Sequence, residues 1–145
     1  MSYVTTDTVW PSLSLSIQTR YLIATFYEIA DKKDDDAGDR IANEIFAENG
    51  VLVAPNGTFK GSKEISKSRE GAWKTVHSRT HRITKVFAND EAGSDLVLLG
   101  TVKMVSNDRT EKIMPFMAHI TIDTSNTGPS ASRMSYMEIF ISPSK

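Results

Sequence analysis

From residue 77 onward the apolar residues of this chain stop recurring every three or four positions and begin to alternate, and they do so almost to its end. Stretches at roughly 77–88, 95–105, 111–123 and 132–142 carry the alternation, and the turn-forming runs "NDEAGSD", "SNDRTE" and "DTSNTGPSAS" part them. Successive side chains on a strand point to opposite faces, so the pattern demands a sheet with one buried face; connections this short join neighbouring strands antiparallel. Between 111 and 123 the two faces separate cleanly. Met114, Phe116, Ala118, Ile120 and Ile122 form one, and Ile113, Pro115, Met117, His119, Thr121 and Asp123 form the other.

Ahead of residue 77 the period is helical. Leu13, Ile17, Leu22, Ile23, Phe26, Tyr27, Ile29 and Ala30 recur at spacings of three and four, which predicts an amphipathic helix from Pro11 to about Lys33, with Pro11-Ser12 as its start. The charged run "DKKDDDAGD" breaks it, and a shorter helix follows with Ile41, Ala42, Ile45 and Phe46 on one face. Asn49-Gly50 then reads as a turn, Val51 to Val53 as a short strand, and Asn56-Gly57 as a second turn. A third helix is expected from Gly61 to Val76, capped by Ser62. Helices followed by hairpin-linked strands predict an α+β fold, three N-terminal helices on a curved, mostly antiparallel sheet. The 145 residues suffice for one domain and are too few for two ordinary ones.

Composition narrows the function classes. There is no cysteine, which removes disulfides, thiolate catalysis and cysteine-bound zinc. A net charge of −1 supplies no field to draw the chain to nucleic acid or an anionic membrane. The N-terminal stretch has no basic segment followed by an apolar run, and no segment approaches the roughly 18 apolar residues of a membrane span, so a cytoplasmic location is expected.

The succession of "FYEIADKKDDD", "ANEIFAENGVLVAPNGTFKGSKEI" and "SRTHRITKVFANDEAGSDLVLLGTV" resembles the SnoaL-like branch of the NTF2-like superfamily, over about residues 12 to 142. The resemblance implies a cone: helices cover a strongly bent sheet, a mostly apolar pocket opens between them, and the outer sheet face packs on a second subunit. It does not fix the chemistry, because this fold hosts cyclases, dehydratases, isomerases, epoxide hydrolases and non-enzymatic binding domains. Ketosteroid isomerases carry a carboxylate just before a turn on the first strand and another before a histidine on a later one. Here Ala54 and Ala118 stand at those places, so their mechanism is not expected. Scytalone dehydratases are similar in using tyrosine, aspartate and two histidines, for which Tyr27, Asp31, His81 and His119 lie in roughly corresponding elements.

Read as chemistry, the segment "KTVHSRTHRITKVF" puts His77, Arg79, His81, Ile83, Lys85 and Phe87 on one side of a strictly alternating strand. Arg79 between the two histidines disfavours zinc, and the acidic run lacks the ligand spacing of a calcium loop, so no metal or cofactor is expected. His77 sits at a helix-to-strand junction, exposed or capping. His81 lies deeper, where it can either exchange a proton near neutral pH or simply hydrogen-bond within the sheet. His119 falls on the outer face, at an interface or surface. Glu138 shares an alternating face with Met134, Tyr136 and Phe140; a carboxyl among such side chains suits acid/base work, unless that edge is wet or Arg40 pairs with it. Tyr27 and Asp31, four apart on the first helix, can orient a substrate or share the proton transfer; Asp31 can equally be a solvated helix end.

The expected function, by resemblance, is cofactor-independent cyclisation, isomerisation or dehydration of a small hydrophobic metabolite such as a polyketide or terpenoid intermediate. His81 and Glu138 are the expected proton-transfer pair, with Tyr27 and Asp31 assisting. Arg40, Phe116, Ala118, Tyr136 and Phe140 are expected to contact the substrate, Arg40 through an anionic group unless it simply pairs with Asp36 or Glu44. A homodimer is expected, with neither nucleic acid nor membrane as partner. The alternatives are a non-catalytic binder of an apolar ligand and a dimerising adaptor.

Overall fold

The structure, a computed structural model, describes residues 2–13, 15–124 and 132–142. A 3-10 turn, Tyr3–Thr5, precedes helix α1, Ile17–Ala30. Helix α2, Ala37–Arg40, runs on into a π-helical turn, Ile41–Ile45. Strands β1, Phe46–Ala54, and β2, Gly57–Lys60, form a hairpin, and a one-turn helix α3, Gly61–Ile65, follows. Strands β3, Val76–Ala88, β4, Asp95–Ser106, β5, Glu111–Asp123, and β6, Arg133–Ile141, complete a six-stranded sheet of order β2-β1-β6-β5-β4-β3. Every neighbouring pair is antiparallel except β1 with β6. This is the α+β cone expected of the sequence, a curved mixed sheet with the helices against one face.

The helices are shorter than their periodicity predicts. Chain entry into α1 is set by Ser16, not by Pro11-Ser12: the Ser16 side chain accepts the Thr19 N–H at 3.1 Å, satisfying a donor that the first helical turn leaves free. Leu13 still packs against the core from outside the helix, so its apolar spacing reads as helical without being so. The third helix stops at Ile65 instead of reaching Val76. Residues 66 to 72, "SKSREGA", supply no large apolar side chain to anchor further turns, and Gly71 takes a positive φ of 73°. The chain instead descends through single turns, Ser68 N–H to Ile65 O, Glu70 to Lys67 and Ala72 to Arg69. Asn49-Gly50 is no turn either; it lies inside β1, where the register against β6 shifts between Phe46 and Val51.

Beneath the helices, the inner sheet face and the helical layer share one core. Leu22, Ile23, Phe26, Tyr27 and Ile29 from α1 meet Ile41 and Ile45 from the π-helical turn and Leu96, Leu98, Ala118 and Ile120 from the sheet. Close approach is built in at two glycines. A Cβ on Gly38 would collide with the Ser66 carbonyl, and one on Gly100 with the Arg82 carbonyl and the Phe116 ring, so these places admit no side chain. The open edge at β3 is covered by the N-terminal segment: Val9 donates to Thr84 O at 2.9 Å and accepts from Val86 at 3.0 Å.

Two bulges decide which residues face inward. In β3 the pairing with β4 steps from Ile83 opposite Gly100 to Lys85 opposite Leu99, leaving Thr84 as an extra residue. In β6 it steps from Met134 opposite Ile122 to Tyr136 opposite Thr121, leaving Ser135 extra. An extra residue reverses the alternation beyond it. Ile83 and Val86 are therefore both buried, three apart, as are Met134 and Met137. Lys85 and Phe87 turn outward, and so do Tyr136, Glu138 and Phe140, in contrast to the strict alternation expected of both segments.

Candidate active site

A cavity of about 390 Å³ opens between α1, the turns after α3 and the inner face of the sheet. That lies at the small end of the range usual for small-molecule sites. Phe26, Ile41, Leu52, Val102, Phe116 and Ile139 make its walls apolar. Tyr27, Ser68, Arg69, Arg79 and His81 bring polar groups to it.

His81 is fixed there by Asp31. Asp31 caps the C-terminus of α1, and its carboxylate is 4% exposed. Its Oδ1 lies 2.5 Å from His81 Nδ1, while Oδ2 accepts the His81 backbone N–H at 2.8 Å and the Tyr3 hydroxyl at 2.7 Å. A carboxylate is disfavoured at the negative end of a helix dipole; three donors, with the Arg69 and Arg79 charges nearby, offset that. In a neutral ring the carboxylate bond favours the tautomer with its proton on Nδ1, in which Nε2 is the nitrogen with a free lone pair. No protein group among the described residues bonds Nε2. The imidazole lies 4.8 Å from the Tyr27 ring and 5.3 Å from the Phe116 ring, edge to face with the latter. Packing and hydrogen bonding together hold its orientation.

Around this pair stand polar groups without protein partners. The Tyr27 hydroxyl is buried and unbonded, and burial raises its pKa, so it remains a neutral donor. Arg69 gives one N–H to Ala30 O at 2.8 Å, and Arg79 gives one to Ala72 O at 3.2 Å while stacking over Trp73 at 4.8 Å. Among the described residues no cluster of three His, Asp or Glu could hold a metal ion.

The predicted site residues divide accordingly. His81, Tyr27, Asp31 and Phe116 meet at or beside the cavity. Ala118 is buried in the core but does not line it. Glu138 does not join His81: beyond the Ser135 bulge it points to the outer face, opposite His119, and accepts the Tyr136 hydroxyl at 2.7 Å. Tyr136 and Phe140 share that outer face, so neither can contact a ligand in the cavity. Arg40 is likewise outside, bonded to Glu44 at 2.8 Å on exposed helix surface. His77 is exposed, and His119 pairs with Asp95 at 2.6 Å on the outer face. Sequence reasoning missed Tyr3, Ser68 and Arg69, and took Arg79 only as a charge that disfavoured zinc. The stretch from Ser66 to Ala72, without a large apolar side chain, was the available signal, since it argues against the helix that hid Ser68 and Arg69.

No protein-family model matches the chain, and no curated protein matches it by sequence. Solved structures match by shape. A provisionally assigned scytalone dehydratase from Novosphingobium aromaticivorans is 12% identical with a TM-score of 0.68, over 87% of this chain and 83% of that one. An NTF2-like superfamily protein from Salmonella enterica is 16% identical with a TM-score of 0.64, over 88% and 92%. A type 2 hexachlorocyclohexane dehydrochlorinase is 14% identical with a TM-score of 0.60, over 88% and 89%. The chain thus has the fold of the NTF2-like superfamily.

Proposed function

We propose that the cavity is the active site of a cofactor-independent enzyme that moves a proton on a small, largely apolar metabolite. The observation that carries the reading is the His81–Asp31 pair at the cavity wall, 2.5 Å apart with Nδ1 engaged and Nε2 unbonded. Nε2 takes a proton from a carbon made acidic by a neighbouring carbonyl. The imidazolium so formed is stabilised by Asp31, and the charge left on the substrate oxygen by a hydrogen bond from the Tyr27 hydroxyl. In an isomerisation the proton returns from Nε2 to a different carbon; in a dehydration it goes to the departing hydroxyl, which leaves as water as the double bond forms. Cyclisation begins with the same deprotonation. Neighbours of this fold named as a dehydratase, a dehydrochlorinase and a polyketide cyclase support the reaction class by analogy.

A non-catalytic binding domain would keep the cavity but give Nε2 no task. Deuterium incorporation from D2O, followed by NMR over a panel of small cyclic ketones and β-hydroxyketones, separates the two. We expect at least one compound to be labelled by the protein and not by its His81→Asn variant; labelling that the variant retains, or none at all, sinks the reading.

The same reading includes a homodimer through the outer sheet face, acting in the cytoplasm. Phe87, Met117 and Phe140 are exposed there beside Val97 and Leu99, which supports a second copy as the cover. No helix of the described residues is long and apolar enough to cross a membrane. Sedimentation of the protein and of Met117→Asp checks the dimer: a monomer for both defeats it.

A further inference from the structure

Buried polar atoms without partners are rare in folded proteins, and here they are not scattered. Among the described residues five such side-chain atoms occur, and four belong to residues lining the one cavity: the Tyr27 hydroxyl, Ser68 Oγ, Arg69 Nε and Arg79 Nη1. These four groups come from three separate elements, α1, the turns after α3, and β3. Imperfect packing has no reason to choose the same wall three times.

Charge points the same way. Two guanidinium groups border the cavity against one buried carboxylate, Asp31, whose oxygens already accept three hydrogen bonds. Glu70, also at the cavity, is exposed at its rim. Burial, with Arg79 close by, brings the Arg69 pKa down to about 10, so it is still charged at neutral pH. Each arginine spends one N–H on a backbone carbonyl and is thereby held in place with another N–H unused. The remaining walls are apolar. Such a site is complementary to an organic anion with a planar two-oxygen head and an apolar body.

Resting on the reading of this cavity as a substrate site, we propose that Arg69 and Arg79 form a carboxylate subsite and that the substrate is a small hydrophobic carboxylic acid. Ser68 Oγ completes the donor set. Arg79 and His81 are two residues apart on β3, so the carboxylate anchor and the base stand side by side on one face of one strand. The anchor thereby sets which carbon of the acid is presented to Nε2.

Calorimetric titration of the full chain with trans-cinnamate, 2-naphthoate and cyclohexanecarboxylate, each against its neutral primary amide, tests the assignment. We expect at least one acid to bind about tenfold or more tighter than its amide, the difference shrinking with added salt. Arg69→Gln and Arg79→Gln should each weaken the acid by about tenfold and leave the amide unchanged, with Arg79→Lys intermediate because charge survives without the fork. His81→Asn, which removes the base but not the anchor, should keep acid affinity. If no acid binds better than its amide, or if the folded glutamine variants hold the acid as the parent does, the subsite is disproved. Should a glutamine variant fail to fold, the acid-to-amide ratio of the parent and its salt dependence decide alone. Acid selectivity without His81-dependent deuterium exchange keeps this subsite and defeats the proton-transfer reading. Exchange on neutral ketones without acid selectivity does the reverse.

Discussion

The molecule contains two histidine–aspartate pairs of nearly equal length in opposite settings. His81 and Asp31 stand 2.5 Å apart with side chains 13% and 4% exposed; His119 and Asp95 stand 2.6 Å apart with 43% and 36%. The inner pair joins a helix end to a strand across fifty residues of sequence, and its histidine borders a cavity. The outer pair joins neighbouring strands on the open sheet face. Water and salt screen the outer pair, whose ring meets one aromatic neighbour, Tyr136, whereas two aromatic rings and a saturated carboxylate hold the inner imidazole in one pose. Burial and positioning, not residue identity, separate a candidate general base from a surface contact.

Catalysis should separate the pairs most widely. His81→Asn should remove turnover, and Asp31→Asn should lower it by about 10³-fold or more through loss of the tautomer and orientation, while His119→Asn and Asp95→Asn change it by less than about twofold. Equal losses at both pairs would erase the distinction. Stability should follow at smaller scale: Asp31→Ala leaves buried donors unpaired and should cost about 3 kcal/mol in urea unfolding, against less than about 1 kcal/mol for Asp95→Ala. Tyrosines beside the pairs sharpen the contrast further. Tyr27→Phe should slow turnover by roughly 10- to 100-fold with folding intact, because the hydroxyl has no protein partner to lose, and Tyr136→Phe should leave turnover unchanged.

The smallest effect lies in acid. Hydrogen bonds from His119, first, and Asn89 hold the Asp95 carboxyl below the usual carboxylate range. A carboxyl depressed in the folded state binds fewer protons there than when unfolded, so its contribution is complete above the unfolded value near 3.9 and fades as pH falls below it. The stability difference between the parent and Asp95→Asn should therefore be small near about pH 5 and vanish in more acidic solution. A difference that instead grew on acidification would show that the outer pair is not what lowers Asp95.

Much of the fold was legible because its signals are local. The alternation over 111–123 matches β5 residue for residue: Phe116, Ala118, Ile120 and Ile122 are buried and His119 faces out. Tyr27 and Asp31, four apart, share a helix face as the helical period requires. Glu138 was misjudged because one extra residue, Ser135, reverses the phase of β6, and a bulge is specified by cross-strand pairing rather than by the strand's own pattern. Arg69 was hidden by a helix that its sequence could not sustain once no apolar face remained to bury.

By itself, then, the sequence determined the α+β class, the order of the main elements, the inner and outer sets of β5 and a helix carrying Tyr27 and Asp31, since each follows from periodicity over a few residues. Tertiary structure alone decided which histidine meets a buried aspartate, which carboxylate is turned outward and where two arginines converge. Those outcomes depend on register, on bulges and on contacts between residues tens of positions apart, and no local pattern of side chains encodes them.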